Sequence, residues 1–282
     1  MKFDCISSDP VSRDKNYSSG VINLLLHQGN DRLHGLMYTP SGKGPHPTIV
    51  LLHGFPGYEQ NLDLAQTLRR GGFNVATFHY RGSWGSEGDF SFSNVLEDTE
   101  LAIKFLSSDH AVDNLGIDKD RMIIAGHSMG GFAALAVSPL FKHIRHIISI
   151  APYNLGKVGK EFTTDERFRD KTREMFEECI VPLKGTGIYD LIEEIKTHKN
   201  SWDLSEKGSV YGDRKILLVG GSLDSVCERN IHHDPLANAI RNYSAAFLSE
   251  KLLEDGHSFH DSRIALSEII LQWLCESGFE IR

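Results

Sequence analysis

The stretch Arg121–Ala134, RMIIAGHSMGGFAA, decides how the rest of the chain is read. A charged residue leads into the apolar run Met122–Ala125. Gly126-His127-Ser128-Met129-Gly130 follows, and then a run of small residues opens a helix. Strand, sharp turn and helix are the context that a G-x-S-x-G turn requires. A serine held at a strained turn crowds whatever lies two positions away, so both flanks carry no side chain. Its hydroxyl then stands exposed at a helix N-terminus, where backbone N–H groups stabilise developing negative charge. Ser128 is therefore the candidate nucleophile. The competing reading is a plain Gly-Ser turn joining strand to helix, and the rest of the chain has to decide between the two.

Upstream, Thr48–Leu52 (TIVLL) is the continuous β-rich run of a strand buried on both faces, and it ends in His53-Gly54-Phe55-Pro56-Gly57. Asn61–Arg70 has helical apolar spacing and stops at Gly71-Gly72. Phe73–Phe78 is the next strand and runs into a glycine-rich loop, Tyr80–Gly88. Val95–Leu106 predicts a helix, Asp113–Asp120 a turn region, and Ile144–Ile150 another buried strand. Nearer the start, Val21–His27 and Leu33–Tyr38 form a hairpin around Gly29-Asn30-Asp31. Strands alternating with helices are the signature of parallel βαβ units.

After Pro152 the rhythm breaks: residues 153–213 are charged and helical in flavour, with no convincing strand. They read as a cap inserted over the C-terminal edge of the sheet, where open α/β sheets bind ligands. The sheet resumes at Lys215–Val219 and runs into Gly220-Gly221-Ser222-Leu223-Asp224. A helix beginning after Pro235, a last strand at Ala245–Leu248 and a closing helix at Ile264–Leu274 complete the chain. The fold class expected is α/β, a mostly parallel central sheet with helices on both faces. Its organisation is an N-terminal arm (1–20), a core (21–152 and 214–282) and a helical cap (153–213).

The chain's 282 residues suit one large α/β domain. A net charge of −8 without a basic stripe excludes a typical nucleic-acid binder. No run approaches the 18 or so apolar residues of a membrane span, and the first twenty residues lack the apolar core of a secretory signal. Cys5, Cys179, Cys227 and Cys275 are scattered without C-x-x-C spacing, which fits free thiols in a reducing, cytoplasmic setting. His143 and His146 do not share a face, and the adjacent His232-His233-Asp234 do not aim at one point, so no zinc site is expected. The Gly-Gly pairs lack phosphate-loop spacing. No cofactor is expected.

A serine hydroxyl needs a base, usually histidine, and an acid that orients it. In the α/β-hydrolases, which this strand–turn–helix motif resembles, an Asp or Glu and then the histidine follow the serine in sequence. Asp224 lies in a glycine-rich turn five residues past Val219, with Glu228 and Asp255 as substitutes. His257 follows Asp255-Gly256 in a late loop; His260, His232 and His233 compete for the role. An oxyanion hole needs two convergent N–H donors, expected from Met129 and from Phe55 in the loop after the first buried strand. His53 is read as support for that loop. Arg81 and Glu87 are read as ion-pair or loop anchors rather than substrate ligands.

With these positions assembled, the chain resembles an α/β-hydrolase over about residues 21–276. The likeness rests on HGFPG at 53–57, YRGSWGSEG at 80–88, GHSMGG at 126–131, GGSLD at 220–224 and DGH at 255–257. The loop 80–88 is similar to those of prolyl-oligopeptidase-like, serine-aminopeptidase-like and feruloyl-esterase-like members. His79 departs from the pattern, standing where many relatives have Asp. The resemblance implies Ser128 as nucleophile, Asp224 as acid, His257 as base, and the Phe55 and Met129 amides as oxyanion hole. The expected activity is hydrolysis of a small-molecule carboxylic ester. Aminopeptidase, amidase or thioesterase chemistry on a short peptide-like or acyl substrate uses the same machinery. The rival from another class is a binding protein that kept the fold without turnover.

Overall fold

A computed structural model describes residues 3–10 and 14–282. The sheet is built from eight strands: β1 (Gly20–Gln28), β2 (Asp31–Thr39), β3 (His46–Leu52), β4 (Asn74–Phe78), β5 (Ile117–His127), β6 (His146–Ile150), β7 (Lys215–Gly221) and β8 (Leu248–Leu253). Their spatial order is β1-β2-β4-β3-β5-β6-β7-β8. The β1–β2 hairpin and its β2–β4 junction are antiparallel, and every pairing from β4 through β8 is parallel. This is the expected α/β fold class.

The apolar runs behave as strands buried on both faces because successive side chains point to opposite sides of the pleat. Val50 and Leu52 of β3, Met122 and Ile124 of β5, and Ile216 and Leu218 of β7 enter one core. Ile49 and Leu51, Ile123 and Ala125, and Leu217 and Val219 enter the other. The second face is covered by α1 (Asp4–Ser7), α2 (Leu62–Arg70) and α10 (Arg263–Glu276). Helices α3 (Phe92–Leu106), α4 (Asp109–Leu115), α5 (Met129–Val137) and α9 (Arg229–Ser244) cover the first. Helix α5 is apolar on nearly every side, and eight of its nine residues are buried. Such a helix belongs inside the molecule rather than on its surface.

Several local expectations are corrected. Part of the expected loose arm docks: Phe3 and Cys5 are buried, and the Arg70 Nε donates to Cys5 O at 2.6 Å. Residues 1, 2 and 11–13 of that arm lie outside the described residues. The region 113–120 is not a turn but the end of α4 and the start of β5, because ladder pairing to His46 and Pro47 holds its polar residues extended. Helix α9 starts at Arg229 and continues through Pro235. Burial of His232, His233 and Leu236 on its inner side outweighs the one hydrogen bond that the proline removes. The last strand is Leu248–Leu253, with Ala245–Phe247 a short 3-10 turn.

Between β6 and β7 come α6 (Leu155–Thr164), α7 (Glu166–Cys179) and α8 (Ile188–Thr197), with no named strand among their described residues. Two backbone bonds tie this segment to the loop after β4: Lys184 N donates to Gly82 O at 2.8 Å, and Phe90 N to Lys184 O at 2.9 Å.

Candidate active site

Ser128 closes β5 and caps α5 with φ +57° and ψ −121°, a backbone conformation costly for any residue with a side chain. The fold over-determines it. A Cβ on Gly126 would come within 2.2 Å of Gly130 O, and one on Gly130 within 2.3 Å of Leu52 O. Both flanking positions therefore require glycine. Ser128 N donates to Ile150 O at 2.9 Å, and Ser128 O receives Tyr153 N at 3.1 Å. The turn is thus bolted to the ends of β3 and β6.

Asp224 lies in the turn after β7, and His257 in the loop after β8. Their side chains meet at 2.8 Å, with His257 Nδ1 donating to Asp224 Oδ2. The second carboxylate oxygen receives the amides of Val226 and Cys227, each at 2.8 Å. Burial pushes the Asp224 carboxyl up, but the His257 hydrogen bond and charge and the two amides outweigh it and hold it below the ordinary range. A buried, fixed carboxylate of this kind sets a histidine's tautomer and orientation. The substitute acids go elsewhere: Asp255 accepts from Gly256 N and Asp261 N, and Glu228 pairs with Lys171.

Two of the competing histidines, His232 and His233, also find structural partners. His232 stacks on Tyr153 with ring centres 4.9 Å apart, and its Nδ1 accepts from Asn154 N at 3.1 Å. His233 Nε2 meets Glu250 at 2.9 Å. His53 donates from Nδ1 to Gly54 O at 2.8 Å, within its own loop. Arg81 binds the buried Asp98 through Nε at 2.7 Å, and Glu87 pairs with Arg32, so both anchor loops.

Ser128 and His257 line one cavity of about 210 Å³, together with Phe55, Phe92, Tyr153, Met175, Phe176 and Val226. No direct Ser128–His257 hydrogen bond is formed; the serine hydroxyl lies beside the Cys227 thiol. Catalytic hydrogen bonds are commonly long before substrate binds. Met129 is the first residue of α5, so its N–H has no partner within the helix. The Phe55 N–H has no hydrogen-bond partner among the described residues. Trp84 braces this loop: its Nε1 donates to Pro56 O at 2.7 Å, and its ring takes the space that a side chain on Gly57 would need.

Sequence reasoning missed the groups that hold the His257 loop. Arg263 donates to Ser258 O at 3.1 Å, to Asn61 Oδ1 at 3.0 Å and to both oxygens of Asp63. Its guanidinium thereby joins the histidine loop to the segment following Gly57. His127 Nε2 donates to His257 O at 2.8 Å. Neither link leaves a trace in sequence spacing. His79, the departure from the family pattern, sits with its ring centre 5.4 Å from that of His53.

Residues 49–263 match the model of the alpha/beta hydrolase family. The chain belongs to that family. It is similar to the uncharacterized protein YfhR of Escherichia coli O157:H7, 35% identical over 142 residues, which cover 49% of this chain and 48% of that protein. The chain thus spans about half the length of the curated relative it matches. Among solved structures, this hydrolase-family chain shares its fold with Est1E from Butyrivibrio proteoclasticus in a complex with ferulic acid (TM-score 0.68, 14% identity, 90% of this chain and 98% of that one). It also shares it with the Pyrococcus furiosus esterase Pf2001 (TM-score 0.64, 15% identity, 95% and 97%). No helix among the described residues is long and apolar enough to cross a membrane.

Proposed function

We propose that this chain is a serine hydrolase that cleaves a carboxylic ester through an acyl-enzyme. Family membership supports a hydrolase. The observation that carries the finer reading is the 2.8 Å His257–Asp224 pair opening into the cavity that Ser128 lines. His257 takes the Ser128 proton as the serine oxygen attacks the acyl carbon. The Phe55 and Met129 amides donate to the oxyanion, and His257 then returns the proton to the leaving alcohol. In the second half His257 takes a proton from water as the water oxygen attacks the acyl carbon, and returns it to Ser128 Oγ as the bond from carbon to the serine oxygen breaks and the acid leaves.

The cavity supports an apolar acyl group. Its walls are mostly aromatic or aliphatic, and its one acidic residue, Glu59, spends Oε1 on Asn61 N at 2.6 Å. A lining so largely apolar favours an ester over an aminoacyl amide, whose ammonium would have only the Glu59 carboxylate to face it. At about 210 Å³ the cavity is smaller than the 300 to 1,000 Å³ or so of drug-sized sites, which favours a short or single-ring acyl group.

A fluorophosphonate probe tests the reading. Wild type is expected to label and Ser128→Ala to remain unlabelled. A folded wild type that resists the probe overturns the reading. A panel of p-nitrophenyl esters beside aminoacyl anilides tests the substrate class: short acyl esters are expected to turn over fastest, and a preference for the anilides overturns the ester assignment.

A further inference from the structure

We propose that Asp224, Cys227 and His257 together form an inhibitory site for a thiophilic divalent cation, with Zn²⁺ as the type ion. The site is built by one turn. Asp224 Oδ1 receives the Cys227 amide at 2.8 Å, which folds the cysteine back toward its own carboxylate, while Oδ2 holds His257. One donor atom from each of the three residues lies within 4.8 Å of the other two. Cys227 and Asp224 are buried at 4% and 7% exposure, and His257 opens the set toward the cavity.

The dimensions fit. Zn²⁺ binds thiolate sulfur at about 2.3 Å and nitrogen or oxygen at about 2.0–2.1 Å, so its tetrahedral ligands stand roughly 3.3–3.6 Å apart. The His257–Asp224 pair, now at 2.8 Å, has to open by about half an ångström to admit the ion between them. The charges balance as well. The Cys227 thiol loses its proton to solvent on binding and the Asp224 carboxylate is already anionic. The proton on His257 Nδ1 moves to Nε2. One dipositive ion, one thiolate and one carboxylate sum to zero, the condition under which a charge is buried at low cost.

The sulfur ligand sets selectivity: thiolate favours Zn²⁺ and its softer neighbours, whereas Mg²⁺ and Ca²⁺ require oxygen shells. A second cluster, His233, Asp234 and Glu250, has similar spacing, but Arg229 and Arg241 already neutralise its carboxylates. Asp224 has no ion-pair partner but His257 among the described residues. An ion held here takes the acid and the base from Ser128, so its inhibitory effect rests on the proposed hydrolase mechanism, while its binding does not.

The test uses the full chain, stripped with a chelator and titrated with Co²⁺, whose near-ultraviolet charge-transfer absorption reports thiolate ligation. In parallel, Zn²⁺ inhibition of p-nitrophenyl ester hydrolysis is measured as the ratio of metal-bound to metal-free rates within each variant. Wild type is expected to develop the thiolate band. Cys227→Val and Cys227→Ser are expected to lose it and to weaken Zn²⁺ inhibition by about tenfold or more. A band that persists in both variants, or Zn²⁺ inhibition that is equal in all three proteins, overturns the proposal. If the band depends on Cys227 but wild type hydrolyses no ester and binds no fluorophosphonate, the cation site stands and the hydrolase reading falls.

Discussion

The Glu194 carboxylate of α8 receives the Phe92 amide at 2.8 Å, and through its other oxygen the Ser93 amide at 2.8 Å. A residue about a hundred positions downstream thus caps α3 and ties the helical segment between β6 and β7 to the residue, Phe92, that lines the cavity. Glu194→Ala leaves two donors of the first turn without partners. It is expected to lower stability by about 1–2 kcal/mol and to raise KM for short esters more than it lowers kcat. Urea unfolding with steady-state kinetics checks both. A kcat loss with KM unchanged would contradict the positional role.

Asp224→Asn removes the acceptor that orients His257. Turnover is expected to fall by about a thousandfold or more, with the far-UV spectrum unchanged. Asp255→Asn disturbs hydrogen bonds to Gly256, Asp261 and Ser262, none of them to His257, and is expected to retain most activity. If Asp255→Asn is the crippled variant, the assignment of the acid is wrong.

Gly130→Ala drives a methyl group to 2.3 Å from Leu52 O and 2.7 Å from His53 O, both backbone atoms with no rotamer to yield. The expected cost is about 3 kcal/mol or more, with loss of fluorophosphonate labelling in whatever fraction folds. A thermal melt within a degree of wild type would show that the turn relaxes more freely than its packing implies.

Buried histidines make stability pH-dependent, and His53, His127 and His232 are among those that burial lowers most. Burial holds His53 at about 4, His127 at about 3 and His232 at about 3, against an ordinary value of 6.5. Between those limits the unfolded chain binds protons that the folded chain refuses. Their stabilising contribution is therefore full above the ordinary value and is lost as pH falls toward the folded values. The slope reaches about 4 kcal/mol per pH unit for the three together. Urea midpoints measured from pH 7.5 to 5 are expected to hold level above the ordinary value and to fall below it. A flat profile would mean that these rings protonate in place.

The parts of the fold most legible in the sequence were those with one strong cause. Thr48–Leu52 and Lys215–Val219 read as strands because both faces are buried and the whole run must be apolar. Edge strand β8 did not, since Glu250 and Lys251 are accommodated by side partners and by the β7 ladder rather than by a core. The front of β5, Ile117-Asp118-Lys119-Asp120, reads as a turn for the same reason. Ser128, Asp224 and His257 could be picked out because each stands just beyond a strand, in one chain order. Arg263 with Asp63, 200 residues apart, and Cys227 beside His257 could not, because only the closed tertiary structure brings them together.

The steric interlock of Gly126 and Gly130 with the end of β3 has a consequence for how such a molecule changes over generations. Ser128 and the Met129 amide are located chiefly by main-chain packing, with the buried Ser149 hydroxyl on Gly131 O as a side-chain support. Residues such as Met175 of α7 and Val226 in the turn after β7, which face the cavity and are only partly buried, can be exchanged without moving that frame. On the proposed mechanism, selectivity can therefore drift by single substitutions while the nucleophile keeps its place, and the two glycines are the positions where drift stops.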